Sequence, residues 1–156
     1  MHKSLEQVKE FHEVFNCPVE SVPTIKGTPL GDMALVEAEY ALLTVRASLR
    51  EFSKIDNRCQ RVALIAEELA ELARGLAEGS LTKSLDALAD IQYVLDGTTL
   101  SIGLHGVIDD AVDLVHASNM SKVGPDGKPI YDEAGKVKKG PNYRPVDLSV
   151  LLPESK

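Results

Sequence analysis

"IAEELAEL" (residues 65–72) places Glu67, Glu68 and Glu71 in a run whose other members are only Ile, Leu and Ala. At about 100° per residue, with Glu67 at zero, Glu71 falls at about 40°, Glu68 at about 100° and Glu78 at about 20°. Val62, Ile65, Leu69, Leu72 and Leu76 form an apolar stripe centred at about 180°, so the run reads as a helix with this stripe toward the core. The acids lie off the stripe, as on an ordinary solvated face. Two details separate them from one. Glu67 and Glu71 are a like pair at i,i+4, where an exposed helix gains ~0.2–0.5 kcal/mol from a Glu–Lys pair and loses as much from two acids. The only basic neighbour in reach is Arg74. Leu64 falls inside the acidic arc, and Ala63, Ala66, Ala70 and Ala73 make a small-residue flank on which another helix can approach closely. Acids crowded beside such an approach need a cation, or a proton.

The next helix repeats the pattern. In "LDALADIQYVLDG" (85–97), Asp86 and Asp90 stand one turn apart on one face, continued by Tyr93 and Gly97, with Leu88, Ile91 and Leu95 opposite. Aspartate is a poor helix-interior residue, and neither has a basic partner on its own helix. A short turn at Gly79 makes the two helices antiparallel neighbours. Glu67, Glu68, Glu71, Asp86 and Asp90 are then expected to line one pocket. An all-oxygen set suits Mg²⁺ or Mn²⁺ over zinc or copper, and Mg²⁺ on few carboxylates keeps places for water and phosphate. A di-iron bundle would need a Glu-x-x-His unit on two helices. Asp113-x-x-His116 is the nearest approach. His2, His12 and His105 have no ligand spacing.

Outward from this pair, residues 3–16 read as a short amphipathic helix that Pro18 closes, and 17–31 as a Pro/Gly loop. Residues 32–54 read as a long helix capped by Asp32, and 55–78 as another after a kink near Asp56-Asn57. Gly79 is the C′ glycine, Ser80 or Thr82 the next N-cap, and that helix runs to about Ser101 or Ile102. Residues 107–120 form the last helix. From 124 onward four glycines and four prolines interrupt "GPDGKPIYDEAGKVKKGPNYRP". Its "PDGK" and "EAGK" read as turns, with "PIY" and "KVK" as the arms of a loose hairpin. The expected class is all-α, a bundle of four to five helices with an irregular C-terminal tail, in a single domain spanning 1–156, with the helical body at 1–123 and the tail at 124–156 over the site.

Charge is split. The chain carries −7, of which residues 122–144 contribute +3 and residues 145–156 contribute −1, leaving −9 on residues 1–121. An acidic body argues against a nucleic-acid polymer or an anionic membrane as partner, while leaving a small polyanion bridged by a cation. Hydrophobic residues are 44%, but aromatics only 4% with no Trp, so the core rests on aliphatic side chains. Cys17 and Cys59 show no zinc or redox spacing, which fits a reducing compartment. There is no signal-peptide core and no apolar run of membrane length. The expected location is the cytoplasm.

Asn119 and Lys122, at the end of the last helix, could be a cap and a dipole partner. They could also reach a phosphate or sugar, as could Lys138, Lys139, Asn142, Tyr143 and Arg144 of "KKGPNYRP" (138–145), a basic segment suited to closing over an acidic, metal-loaded pocket.

"EELAEL" followed by "DALADIQYVLDG" resembles the all-α nucleoside triphosphate pyrophosphohydrolases, the MazG-like and phosphoribosyl-ATP pyrophosphohydrolase-like group, whose pattern is E-E-x-x-E and then E-x-x-D. "FHEVFNCPVESVPT" (11–24) and "VHASNMSKVGPDGKPIYDEAGKVKKGPNYRPVDL" (115–148) resemble the ends of a bacterial and phage branch of the MazG-like proteins, so the likeness covers nearly the whole chain. One position departs. Asp90 matches the final aspartate, but Ala87 stands where the glutamate would be, with Asp86 beside it. The resemblance implies hydrolysis of (d)NTP to (d)NMP and pyrophosphate, in control of the deoxynucleotide pool, with Mg²⁺ as cofactor and Mn²⁺ able to substitute. It implies Glu71, Asp86 and Asp90 as metal ligands, with Glu67 and Glu68 sharing the metal or activating water. Asn119, Lys122, Lys139, Asn142 and Arg144 would bind the substrate. Tyr93 would pack near the nucleotide or serve the core. It also implies a homodimer or dimer of dimers. The alternatives are a non-catalytic helical protein that binds a nucleotide or a partner, and a pyrophosphohydrolase of a related phosphoribosyl nucleotide.

Overall fold

Five α-helices are present in the computed structural model, which describes residues 3–133 and 135–152. They are α1 (Lys3–Val14), α2 (Pro29–Leu49), α3 (Asn57–Ala77), α4 (Leu81–Ser101) and α5 (Ile108–Met120), with 3₁₀ turns at Phe52–Lys54 and Ser149–Leu151. No helix is long and apolar enough to cross a membrane among the described residues. The all-α expectation holds. Two compact units divide the chain, Val22–His105 and Met1–Ser21 with Gly106–Lys156.

In the unit Val22–His105, α3 packs on both α2 and α4. The start of α2 differs from the sequence reading. Thr28, not Asp32, is the N-cap, its hydroxyl accepting from the Gly31 amide at 3.1 Å. Pro29 and Gly31 look like breakers, but proline at the first helical position has the right φ and lacks a hydrogen that would go unpaired there. Asp32 instead lies in the first turn, where its charge suits the helix dipole. At the other end α2 stops at Leu49, and a 3₁₀ turn intervenes before α3. Asp56 caps α3 by accepting from the Arg58 amide at 2.9 Å, and the Arg58 side chain holds its carboxyl down to about 2. Gly79, at φ +62°, closes α3, and Ser80 caps α4.

The core of this unit is not the expected leucine stripe. Val62 is 51% exposed and Leu69 37%. The buried residues of α3 are Ala66, Ala70, Ala73 and Gly75, and those of α4 are Ser84, Ala87 and Val94. A helix sandwiched between two others buries its flanks, and small residues let the backbones approach. Gly75 is the tightest point, since a β-carbon there would stand 2.9 Å from the Ser84 amide nitrogen. Two arginine clamps reinforce the packing. Arg74 Nε donates to the buried Glu39 of α2 at 2.8 Å. Arg61 donates to the Val94 carbonyl at 2.7 Å and to Thr98 Oγ1 at 3.1 Å, in space that Gly97 leaves open. The outer face of α4 is left bare, with Leu85 70%, Leu88 52% and Leu95 43% exposed.

In the other unit, α1 lies on α5. Phe15 is its most buried large side chain and stacks on Phe11. Tyr131 donates to the Phe15 carbonyl at 2.7 Å, tying the irregular segment back to α1. The loose hairpin is reduced to one antiparallel bridge, Tyr131 to Val137, with the Lys138 amide donating to the Ile130 carbonyl. Its turn includes Ala134, outside the described residues.

Candidate active site

The α3–α4 hairpin brings the two acidic faces together. Burial raises the Glu68 carboxyl above its ordinary 4.5, and the negative charges of Glu71, Asp90, Glu67 and Asp86 raise it further, in that order. All five sequence-predicted carboxylates therefore share one electrostatic neighbourhood centred on Glu68. They are not equivalent. Glu67 is turned toward α2 and paired with Arg46 at 2.8 Å. Glu71, Asp86 and Asp90 are exposed on their helices.

Among the described residues no three His, Cys, Asp or Glu side chains converge closely enough to hold an ion as they stand. That is a stricter condition than electrostatic proximity, because ligation needs oxygens at ~2.1 Å from one point for Mg²⁺, whereas charges interact over many ångströms. The donor set nonetheless fits a hard divalent cation: it is all oxygen, and among the described residues its one direct ion pair is Glu67 with Arg46.

Ala87 is 1% exposed, buried in the α3–α4 interface where the family pattern has its glutamate. Asp86, next to it, is exposed and is the weakest of the four charges acting on Glu68. Tyr93, 80% exposed on α4, is not a core residue.

The remaining sequence-predicted residues belong to the other unit, where they form one cluster. Lys122 Nζ donates to Asn119 Oδ1 at 2.7 Å. The Gly140 amide donates to the Lys122 carbonyl. Ser118 donates to the Arg144 carbonyl at 2.7 Å, and the Arg144 amide donates to Ser121 Oγ at 2.8 Å. Lys139 Nζ lies 4.5 Å over the Tyr143 ring. The segment holding Lys139, Asn142 and Arg144 is therefore fastened to the end of α5 by backbone hydrogen bonds, which leaves the Arg144 guanidinium unused by that fastening. Asp113 and His116 are held by α1: Lys3 and Gln7 donate to Asp113, and His116 meets Glu10 at 3.1 Å.

Residues 46–119 match the model of the phosphoribosyl-ATP pyrophosphohydrolase family. The chain is also similar to a candidate NTP pyrophosphohydrolase from Exiguobacterium sp. 255-15, whose crystal structure it matches with a TM-score of 0.58 at 26% identity, over 92% of this chain and 89% of that one. This is the fold of the all-α NTP pyrophosphohydrolases. No curated protein matches the chain. The family segment contains all five carboxylates together with Asn119, and stops short of Lys122 and the basic tail.

Sequence reasoning missed Arg46, Arg50 and Gln60. The three border a recess beside Glu67. The i,i+4 spacing of Arg46 and Arg50 was visible, but nothing in the sequence placed them opposite the acidic helix.

Proposed function

We propose that this chain is a metal-dependent nucleotide pyrophosphohydrolase that converts (d)NTP and water to (d)NMP and pyrophosphate, acting on deoxynucleotides in pool control. The carrying observation is the gathering of Glu67, Glu71, Asp86 and Asp90 around Glu68, inside the segment that matches the family. The family match and the structural neighbour support a nucleotide pyrophosphohydrolase. The base, the sugar and the metal belong to the proposal.

Glu68, Glu71, Asp86 and Asp90 would hold Mg²⁺ or Mn²⁺, with Glu67 joining if it leaves Arg46. The cation, when bound, would neutralise the phosphates and lower the pKa of water. The rest falls to the chain. Glu68, at the centre of the carboxylate cluster, would accept the proton of the attacking water. Glu67 would be the second candidate for that role. A new oxygen–phosphorus bond forms as the α–β bridging oxygen leaves, so the products are the monophosphate and pyrophosphate. Asn119, Lys122, Lys139, Asn142 and Arg144 would bind phosphate or sugar, and Tyr93 would pack near the nucleotide.

The bare face of Leu85, Leu88 and Leu95 supports a homodimer or dimer of dimers, since monomers rarely leave a long apolar stripe in water. Light scattering on the purified chain tests this, with Leu88→Glu expected to lower the assembly state.

The deciding assay incubates the chain with a panel of dNTPs, NTPs and phosphoribosyl-ATP in Mg²⁺ or Mn²⁺ and separates the products. Monophosphate with pyrophosphate is expected, and Glu68→Ala should abolish it. Stepwise loss of single phosphates, or turnover unaffected by Glu68→Ala, would overturn the reading.

A further inference from the structure

A recess of ≈ 430 Å³ lies between the end of α2, the 3₁₀ turn and the first half of α3. Its volume is in the range of small-molecule sites, ~300–1,000 Å³. Ala47, Ala63 and Leu64 contribute apolar wall, and Arg46, Arg50 and Gln60 contribute nitrogen donors. Glu67 is its one carboxylate, and it also belongs to the cluster around Glu68. The recess and the carboxylate cluster therefore meet at a shared residue. Arg46 is engaged there, at 2.8 Å from Glu67. Arg50 forms no ion pair among the described residues, although it stands one helical turn from Arg46.

Two guanidinium forks at i,i+4 start from β-carbons ~5–6 Å apart, a spacing suited to neighbouring phosphates, and a guanidinium matches phosphate oxygens in pairs. Two adjacent cations match the charge of a diphosphate better than that of an uncharged nucleobase. We propose that this recess seats the pyrophosphate portion of the substrate, with Arg50 and Arg46 as its anion contacts and Gln60 as a neutral donor. The proposal rests on the pyrophosphohydrolase reading and deepens it by giving the departing group a place of its own. Negative carboxylates on one side of Glu67 and cationic side chains on the other then orient the triphosphate, with its terminal phosphates in the recess. Arg46 has a double part. In the free chain it neutralises Glu67, and with pyrophosphate in the recess it faces a second anion that competes for it.

The test titrates the full-length chain with inorganic pyrophosphate in Mg²⁺ by calorimetry, and measures Mn²⁺ binding separately without pyrophosphate. Arg50→Ala should weaken pyrophosphate binding about tenfold or more, the scale of a lost charge-assisted hydrogen bond, and Arg50→Lys should recover part of it. Mn²⁺ binding and the thermal midpoint should stay unchanged, because the Arg50 side chain is exposed and forms no ion pair among the described residues. Lys54→Ala removes the same charge from the adjoining 3₁₀ turn without touching the recess, and should change pyrophosphate binding less than twofold. Wild-type turnover of NTP with Arg50→Ala binding pyrophosphate normally overturns the recess and leaves the function standing. Equal weakening by Lys54→Ala also overturns it, since net charge would then be the cause. A wild-type chain that neither releases nor binds pyrophosphate overturns both.

Discussion

Replacing Glu68 with glutamine should make the metal-free protein more stable at neutral pH, although it removes a residue of the proposed site. Glu68 sits among Glu71, Asp90, Glu67 and Asp86, and its folded-state pKa is raised above 4.5 by burial and by those charges. A like-charge neighbour on a helix surface costs ~0.2–0.5 kcal/mol. Four such neighbours, discounted for solvent screening and for the share of Glu67 that Arg46 neutralises, give about 1 kcal/mol. In a chain of this size that is ~2–4 °C in Tm. The pH dependence has a definite sign. The folded chain holds the Glu68 proton more tightly than the unfolded chain, so wild-type stability falls as pH rises from 4.5 through the raised folded value. The gain from Glu68→Gln should therefore be full above that interval and vanish below it, where the wild-type carboxyl is itself neutral. Salt near 1 M, with a Debye length of ~3 Å, should erase the part of the gain that comes from the neighbouring charges and leave the part that comes from burial. Mg²⁺ should invert the order by stabilising wild type through binding, with less effect on the variant. Thermal melts in EDTA at pH 4 and 7.5, at low and high salt, and again with Mg²⁺, read all of this. A metal-free Glu68→Gln that melts at or below wild type at pH 7.5 in low salt would refute the uncompensated cluster.

Gly75→Ala should destabilise by ~1–3 kcal/mol, because its β-carbon would stand 2.9 Å from a backbone nitrogen of α4, a clash larger than the ~1 kcal/mol helix-propensity gain; denaturant melts measure it. Ser84→Ala should stabilise by about 1 kcal/mol, since the Ser84 hydroxyl is buried without a hydrogen-bond partner; the same melts apply. Ala87→Glu, which writes the missing glutamate of the family pattern into this chain, should destabilise by ~3 kcal/mol or more instead of adding a ligand, because Ala87 is 1% exposed in a close helix interface. Unchanged stability with tighter Mn²⁺ binding would refute that.

Ala87 marks the limit of what the pattern itself could say. Its mismatch with E-x-x-D was legible as a letter, but whether position 87 faced the site or the packing depended on how α4 lies on α3. The same holds for the leucine stripe of α3. Its 3.6-residue period identified a helix, and it could not reveal that neighbours on both flanks would bury Ala66, Ala70 and Ala73 instead. The Thr28 cap was hidden because Pro29 and Gly31 read as loop residues until helix geometry gave them a role.

By itself, the sequence determined the helical class, the α3–α4 hairpin with its Gly79 turn, and the placing of the five carboxylates on its two helices. These follow from local periodicity, caps and glycine geometry, all carried within a few residues of chain. The tertiary structure decided which acid each partner neutralises. Arg46 and Glu67 are 21 residues apart and Arg74 and Glu39 are 35 apart, so only the packing of α2 on α3 could pair them, and only that packing opens the cationic recess beside the acids.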